Sequence, residues 1–202
     1  MTGLRERRHL ETKQLLVETA FELFVERGFE NVALKDIARA ADVSTATLFA
    51  HFPQKESLLM GASELLAQMR DEAGNQNTMP VQDALRAIGM SYARRLDNAM
   101  LLGLIRMGIT LKEKVPGLGQ AVNDAWRRPF IAKLEPVLDQ GMNEKIWLIP
   151  DRAVAIRQFL GAMTDALLWP RLFAMIEAHP PGYKEAVVEE ALKTFNARYK
   201  IA

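Results

Sequence analysis

Cysteine is absent from this 202-residue chain, and its absence removes several classes of function at once. Without thiols there is no disulfide framework, no cysteine zinc site and no thiol nucleophile. The three histidines, His9, His51 and His179, are far apart in sequence and have no metal-ligand spacing. Ser/His/Asp spacings and glycine-rich phosphate loops are also missing. We therefore expect no cofactor, no metal and no enzymatic activity.

Long apolar runs and an excess of one charge are missing as well. No run of about 18 apolar residues is available to span a membrane, and the N-terminal RERRHLETK is unlike a signal peptide. The net charge is only +1, and residues 1–60 carry eight Lys or Arg against nine Asp or Glu. These features predict a cytoplasmic, bacterial protein with no membrane partner. Any binding to nucleic acid must depend on where individual basic side chains lie.

Residues 28–59 contain two short amphipathic segments separated by a tight turn. Apolar residues recur at helical spacing in the first segment, namely Leu34, Ile37, Ala38 and Ala41. Asp42 then breaks the period, and aspartate tolerates a left-handed backbone. Ser44 is a good N-cap for a second helix over residues 45–51. The positions predicted to face outward are small, hydroxylated or aromatic, which suits the major groove of DNA: Thr45, Ala46, Thr47, Phe49, Ala50 and His51.

These residues also carry a family resemblance. The segment LKDIARAADVSTATLFAHFPQKESLL resembles the DNA-binding segment of the TetR (tetracycline repressor) family. The matches are Asp36-Ile37-Ala38, Val43-Ser44, Thr47-Leu48, Phe52 and Lys55-Glu56, and upstream Phe21, Phe24 and Gly28-Phe29. The resemblance covers roughly residues 12–60. It implies an all-α dimer that binds a double-stranded DNA operator.

Four positions depart from the family pattern. Asp42 replaces the usual glycine of the turn, and Thr45-Ala46 replaces the usual Lys-Gly at the start of the helix over residues 45–51. Phe49 and His51 replace the usual pair of tyrosines. Ala33 replaces the threonine that normally caps the helix beginning at Leu34. The loss of this cap costs about 1 kcal/mol of stability. The operator sequence therefore cannot be inferred from relatives.

The predicted DNA contacts follow from this arrangement, and they are Lys35, Ser44, Thr45, Ala46, Thr47, Phe49, His51 and Lys55. The N-terminus is basic, with Arg5, Arg7, Arg8 and Lys13. We expect either an arm that follows the phosphate backbone or enters the minor groove, or a solvated tail. We predict a DNA-binding domain over residues 1–53 and a ligand-binding and dimerisation domain over residues 54–202.

The rest of the chain has no strand signals and predicts about nine helices in all. Residues 74–80 are predicted to form a loop after the fourth helix, and residues 100–114 a central buried helix, since they are apolar nearly all round. Pro129, Pro136 and Pro170 are expected to kink or break the helices that contain them. The predicted fold is all-α, with an N-terminal three-helix domain followed by a helical domain.

Methionine and tryptophan are concentrated in the second part of the chain. Nine of the ten methionines and all three tryptophans lie between residues 60 and 175. Because methionine adapts to varied apolar shapes, this region predicts a ligand pocket. Its candidates, each of which also suits plain core packing, are Met69, Ile88, Tyr92, Leu101, Ile105, Arg106, Trp126, Phe130, Trp169 and Phe173. Arg106 interrupts an apolar helix and needs either an internal carboxylate (Asp97, Asp124 or Asp165) or an anionic ligand.

The last two long helices predict a homodimer. Each has an apolar face, and pairing them with their copies would form a four-helix bundle. The residues expected at that face are Ile156, Phe159, Leu160, Met163, Leu167, Val187, Ala191 and Phe195.

Together these features predict a dimeric transcriptional repressor that a small, largely apolar effector releases from a palindromic operator. Two alternatives stay open at this point. One is a DNA-binding protein of the same kind without a small-molecule ligand. The other is an all-α enzyme or carrier that uses the methionine-rich cavity, which the lack of clustered catalytic residues disfavours.

Overall fold

A computed structural model describes residues 2–69 and 79–201. Its regular segments are α1 (Thr2–Arg27), a 3-10 helix η1 (Phe29–Asn31), α2 (Leu34–Ala40), α3 (Thr45–His51), α4 (Lys55–Gln68), α5 (Val81–Leu96), α6 (Ala99–Thr110), α7 (Leu118–Trp126), α8 (Arg128–Asn143), α9 (Arg152–Leu167), α10 (Trp169–Leu172) and α11 (Tyr183–Tyr199). The all-α prediction is confirmed. Most of the predicted loop over residues 74–80 lies outside the described residues.

Two prolines explain why the described residues form eleven α-helices where about nine helices were predicted. Pro129 lies in the first turn of α8 and Pro170 in the first turn of α10. Proline is accepted there because the first turn does not need its missing N–H. Each of two predicted long helices is therefore divided in two, whereas Pro136 remains inside α8.

The N-terminal basic residues belong to a helix. Helix α1 begins at Thr2 and continues to Arg27. Arg5, Arg7 and Arg8 therefore lie on an exposed helical turn and not in an extended arm or an irregular tail. Arg7 forms an ion pair with Glu11 one turn later, with 2.9 Å between Nε and Oε1.

The first compact unit contains Met1–Met69 and Gly103–Ala125. Helix α1 packs against α2, η1 and α4, around a core that includes Leu16, Ile37 and Leu59. A Cβ at Gly103 would lie 2.6 Å from Cζ of Phe21, so α6 approaches α1 too closely for any larger residue at this position. The expectation that α6 is buried all round is wrong, because Ile109 is 62% exposed and Arg106 also faces solvent.

The second compact unit contains Arg70–Leu102 and Trp126–Ala202. Helix α5 packs against α8, α9 and α11 around a core that includes Tyr92, Phe130 and Phe159. These units describe packing, whereas the predicted division at residue 53 concerns function and stays a prediction. Within the described residues, no helix combines the length and the hydropathy needed to cross a bilayer.

Candidate nucleic-acid interface

The turn between α2 and α3 has the backbone that its sequence predicts. Asp42 has a φ of 52°, in the left-handed region, which aspartate accepts better than most side chains. Where the chain changes direction, the N–H of Val43 donates a hydrogen bond to the carbonyl of Ala38 at 3.0 Å. Ile37 on α2 and Leu48 on α3 are both fully buried. The turn and these two side chains therefore hold α2 and α3 as a helix-turn-helix.

Helix α3 begins at the predicted cap. Thr47 N–H donates to Oγ of Ser44 at 3.0 Å, and the two hydroxyls are 2.8 Å apart. The side chains of Ser44 and Thr47 thus bind each other, which fixes the first turn of the helix. Their hydroxyls keep some capacity for a further partner, since each has a donor and two lone pairs.

The outer face of α3 is accessible and carries no acidic side chain. Thr45, Ala46, Phe49 and Ala50 are exposed, and Thr47 and His51 are half-buried. Phe49 is 51% exposed, an unusual position for a phenylalanine in a helix that contacts only water. Lys35, another predicted contact, is exposed on α2.

Helix α2 keeps half of its N-terminal capping arrangement. Ala33 has no side-chain oxygen to cap the helix, as its sequence implies. Asp36 nevertheless accepts the Ala33 N–H at 3.3 Å through Oδ2, and it binds Nη2 of Arg39 at 2.8 Å through Oδ1. The reciprocal half of the capping box therefore persists without the threonine.

Lys55, a predicted phosphate contact, makes contacts within the chain that its sequence did not predict. Its Nζ donates to the carbonyl of Phe29 at 2.6 Å and to that of Val32 at 3.0 Å. The same ammonium lies 4.3 Å from the centre of the Phe29 ring. Two of its three N–H groups are therefore used by the chain itself, and Lys55 ties the start of α4 to η1.

His51 is in contact with a residue that the sequence reasoning did not select. Its ring stacks on that of His9 in α1, with 4.1 Å between centroids and 26° between planes. Burial lowers the pKa of His51 below its usual value, and the positive charges of His9 and Lys13 lower it further. No sequence signal pointed to His9, because 42 residues separate the two rings.

The ligand candidates are divided between the two units, and several are not buried. Met69, Ile105 and Arg106 belong to the first unit and the other seven to the second. Trp169 is 42% exposed and Phe173 is 69% exposed, so they do not line an interior pocket. Arg106 is exposed as well, so the expectation that it is buried and needs an internal carboxylate or an anionic ligand for that reason is wrong.

Three other candidates form a packed core cluster. Tyr92 stacks on Trp126 with 5.8 Å between centroids and meets the edge of Phe130 at 5.0 Å. Its hydroxyl lies 2.8 Å from Oγ1 of Thr164, and burial raises the pKa of Tyr92 to about 12. Ile88 is also fully buried. Three cavities in the described residues are lined by other side chains.

The predicted dimer residues are mostly core residues of a single chain. Seven of the eight are buried, and only Val187 is half-buried. The reason is that α9 and α11 pack against each other and against α5, so their strongly apolar faces are covered within the protomer. A Cβ at Gly89 of α5 would lie 3.2 Å from the Phe159 ring.

The accessible face of α9 and α11 is a shallow groove of small residues. Two adjoining cavities, of about 390 and 320 Å³, follow it. Phe159, Ala191 and Phe195 contribute to its floor, and its remaining lining includes Gln158, Ala162, Ala166, Ala186, Thr194 and Arg198. The four-residue spacing of Gln158, Ala162 and Ala166 is a helical signal that would have identified this face.

An all-α chain with an N-terminal helix-turn-helix defines a class of DNA-binding proteins. Within that class the chain belongs to the TetR family. Residues 16–61 match the family model for bacterial regulatory proteins, tetR family, and residues 83–201 match the AefR-like transcriptional repressor, C-terminal domain. Members of this family are transcriptional regulators that bind DNA and usually form dimers, and they are not enzymes.

Individual relatives agree with this assignment. The chain is 30% identical over 127 residues to the HTH-type transcriptional regulator TcmR of Streptomyces glaucescens, which is 57% of this chain and 54% of TcmR. It spans about half the length of the curated relatives it matches.

Solved structures share the fold over almost the whole chain. A TetR family regulator from Pseudomonas syringae has a TM-score of 0.70 at 22% identity and covers 95% of this chain and 98% of its own. The flavonoid-responsive regulator FrrA has a TM-score of 0.68 at 24% identity, with 94% and 97% covered.

Proposed function

We propose that this protein is a dimeric transcriptional repressor that reads a palindromic operator through α3 and is released by a small, largely apolar effector. The observation that carries DNA binding is the outer face of α3. Thr45, Ala46, Phe49 and Ala50 are exposed there, next to the half-buried Thr47 and His51. Threonine methyls, alanine and phenylalanine suit thymine methyl groups, while hydroxyl and imidazole groups suit base edges and phosphates.

Two copies are needed for tight binding to a palindrome, because each copy contacts one half-site. The groove of small residues along α9 and α11 supports a dimer surface, since small side chains let two helix pairs approach closely. The exposed lining residues Ala162 and Thr194 and the half-buried Ala166 are proposed contacts, together with Phe159 and Phe195 at its floor. Operator binding in turn places the protein in the cytoplasm, where bacterial DNA lies.

The effector site is proposed around Tyr92. Its hydroxyl and that of Thr164 lie beside the rings of Trp126 and Phe130, and the charge of Arg127 also acts on Tyr92. Aromatic faces with a few hydroxyls suit an apolar or aromatic molecule with one or two polar groups. The name of the structural neighbour FrrA, a flavonoid-responsive regulator, agrees with a ligand of this chemistry.

One observation favours the alternative without an effector. Tyr92 and Phe130 are fully buried and in close contact, and Ile88 is fully buried as well, so a ligand would have to displace core side chains. In that case the second unit would serve dimerisation alone. A screen of small aromatic and apolar molecules for operator release distinguishes the two functions. An effector that releases DNA must also bind more weakly when operator is present, by the same factor.

The DNA-binding proposal is tested by selecting operator sequences from random duplexes and then substituting α3. Thr45→Val and Phe49→Ala are expected to change sequence preference, by about 1–3 kcal/mol where a base contact is lost. Thr110→Val, at an exposed threonine of α6, is the matched control and should leave the preference unchanged. Retention of the selected preference after substitution of Thr45, Thr47, Phe49 and His51 together would refute the role of α3.

A further inference from the structure

The stacked rings of His9 and His51 join the first helix to the last turn of α3. Their centroids are 4.1 Å apart, so the two imidazoles cannot both carry a proton without strong repulsion. His9 is exposed and His51 is half-buried, which leaves one side of the pair open to solvent. The exposed ring belongs to α1, and the half-buried ring to α3, the helix that the proposed function places on DNA.

The charged groups around the pair are largely paired with one another. Lys13, one turn after His9 on α1, acts on His51 electrostatically, and its Nζ also binds Oε2 of Glu64 on α4 at 3.0 Å. On α2, which also packs against α3, Asp36 and Arg39 are paired with each other at 2.8 Å. Helix α3 has no other ionisable side chain. The free protein therefore disfavours protonation of His51, for which burial is the first cause.

We propose that His9 is a positioning residue for His51, and that the stacked pair takes up one proton when operator DNA binds. This inference rests on the proposed function, because it needs phosphates close to α3. A phosphate brought near the open side of the pair adds negative charge there and favours one imidazolium. The neutral partner ring then stacks on that cation, and the pair holds α3 against α1 in the bound form.

Proton uptake makes the affinity for operator depend on pH. A complex that binds one more proton per protomer becomes tighter as the pH falls through the range in which imidazole titrates. For a dimer we expect a rise of about tenfold between pH 8 and pH 6 at constant salt, because two partly titrating sites contribute. DNA binding by arginine and lysine contacts alone would be flat over this range.

The test is the pH profile of operator affinity for the full chain and three variants. His9→Phe keeps an aromatic ring over His51 but removes the charge, so it should keep the affinity at pH 8 and displace the profile to higher pH. His9→Ala also removes the ring and should weaken binding several-fold at pH 8. His179→Gln is the control, because His179 belongs to the second unit and binds the carbonyl of Leu167. A merely structural role of His9 would change affinity or melting temperature without moving the midpoint of the profile.

Three results would overturn the inference: a flat profile for the parent, an unchanged midpoint in His9→Phe, or a displaced profile in His179→Gln. These are distinguishable from failure of the proposed function. If the α3 substitutions Thr45→Val and Phe49→Ala abolish sequence preference while the His9 variants keep the parent profile, only this inference fails. If the α3 substitutions have no effect, the DNA-binding role of α3 fails first.

Discussion

Lys55 provides the sharpest test of the structure against the family pattern. As a phosphate contact it would contribute to DNA affinity and little to stability. In the structure its ammonium donates to the carbonyls of Phe29 and Val32 and lies over the Phe29 ring. Lys55→Met keeps the aliphatic stem and removes only the charged group. It should therefore lower the free energy of unfolding and leave the number of phosphate contacts unchanged.

The size of the effect follows from these contacts. A hydrogen bond from a charged donor contributes about 1.5–3 kcal/mol, and a cation over an aromatic face contributes about 0.5–1 kcal/mol at an exposed site. Because Lys55 is only half-buried, water can replace part of what the two carbonyls lose. We expect a net loss of about 2 kcal/mol, which lowers the melting temperature of a chain of this size by roughly 4–8 °C.

The assay combines thermal unfolding with operator affinity measured over a range of salt concentrations. Lys35→Met is the matched control, because Lys35 is an exposed lysine on α2 and a predicted DNA contact. It should leave the melting temperature unchanged and reduce the salt slope by about 0.9 per protomer. Lys55→Met should lower the melting temperature and leave the salt slope unchanged. A stable Lys55→Met protein with a reduced salt slope would refute the reasoning.

Two further predictions concern the second unit. Ala162→Arg, at an exposed position of the α9–α11 groove, should convert the dimer to a folded monomer in sedimentation and weaken operator binding by about 100-fold or more. Ala153→Arg, at another exposed alanine of α9, should leave the dimer intact. A dimeric Ala162→Arg protein would show that the groove is not the dimer surface. Tyr92→Phe should cost about 1 kcal/mol near neutral pH, since the hydrogen bond with Thr164 is lost. Burial raises the pKa of Tyr92 to about 12, so the folded parent retains a proton that an unfolded tyrosine loses above about pH 10. The parent should therefore lose free energy of unfolding as the pH rises from about 10 to about 12. Urea unfolding at pH 8 and pH 10.5 should show a smaller drop in the free energy of unfolding for Tyr92→Phe than for the parent. Equal drops would contradict the raised pKa of Tyr92.

Local signals in the sequence predicted most of the helix-turn-helix. The left-handed backbone at Asp42 and the Ser44 cap both occur as expected. Each depends on the conformational limits and hydrogen-bonding groups of a few adjacent residues. The breaks at Pro129 and Pro170 are local in the same sense, because a proline limits its own backbone and that of the residue before it.

Tertiary packing decided which apolar faces remain accessible. Helical periodicity marks Phe159 and Phe195 as apolar, but it does not say whether a helix of the same chain or a second copy covers them. Here α5 and the packing of α9 on α11 cover them, and small residues such as Ala162 form the open groove. The contacts of Lys55 and His9 could not be predicted from the sequence for a related reason. Their partners, Phe29 and His51, are 26 and 42 residues away, and contacts over such separations depend on how whole helices pack and not on the pattern within any one of them.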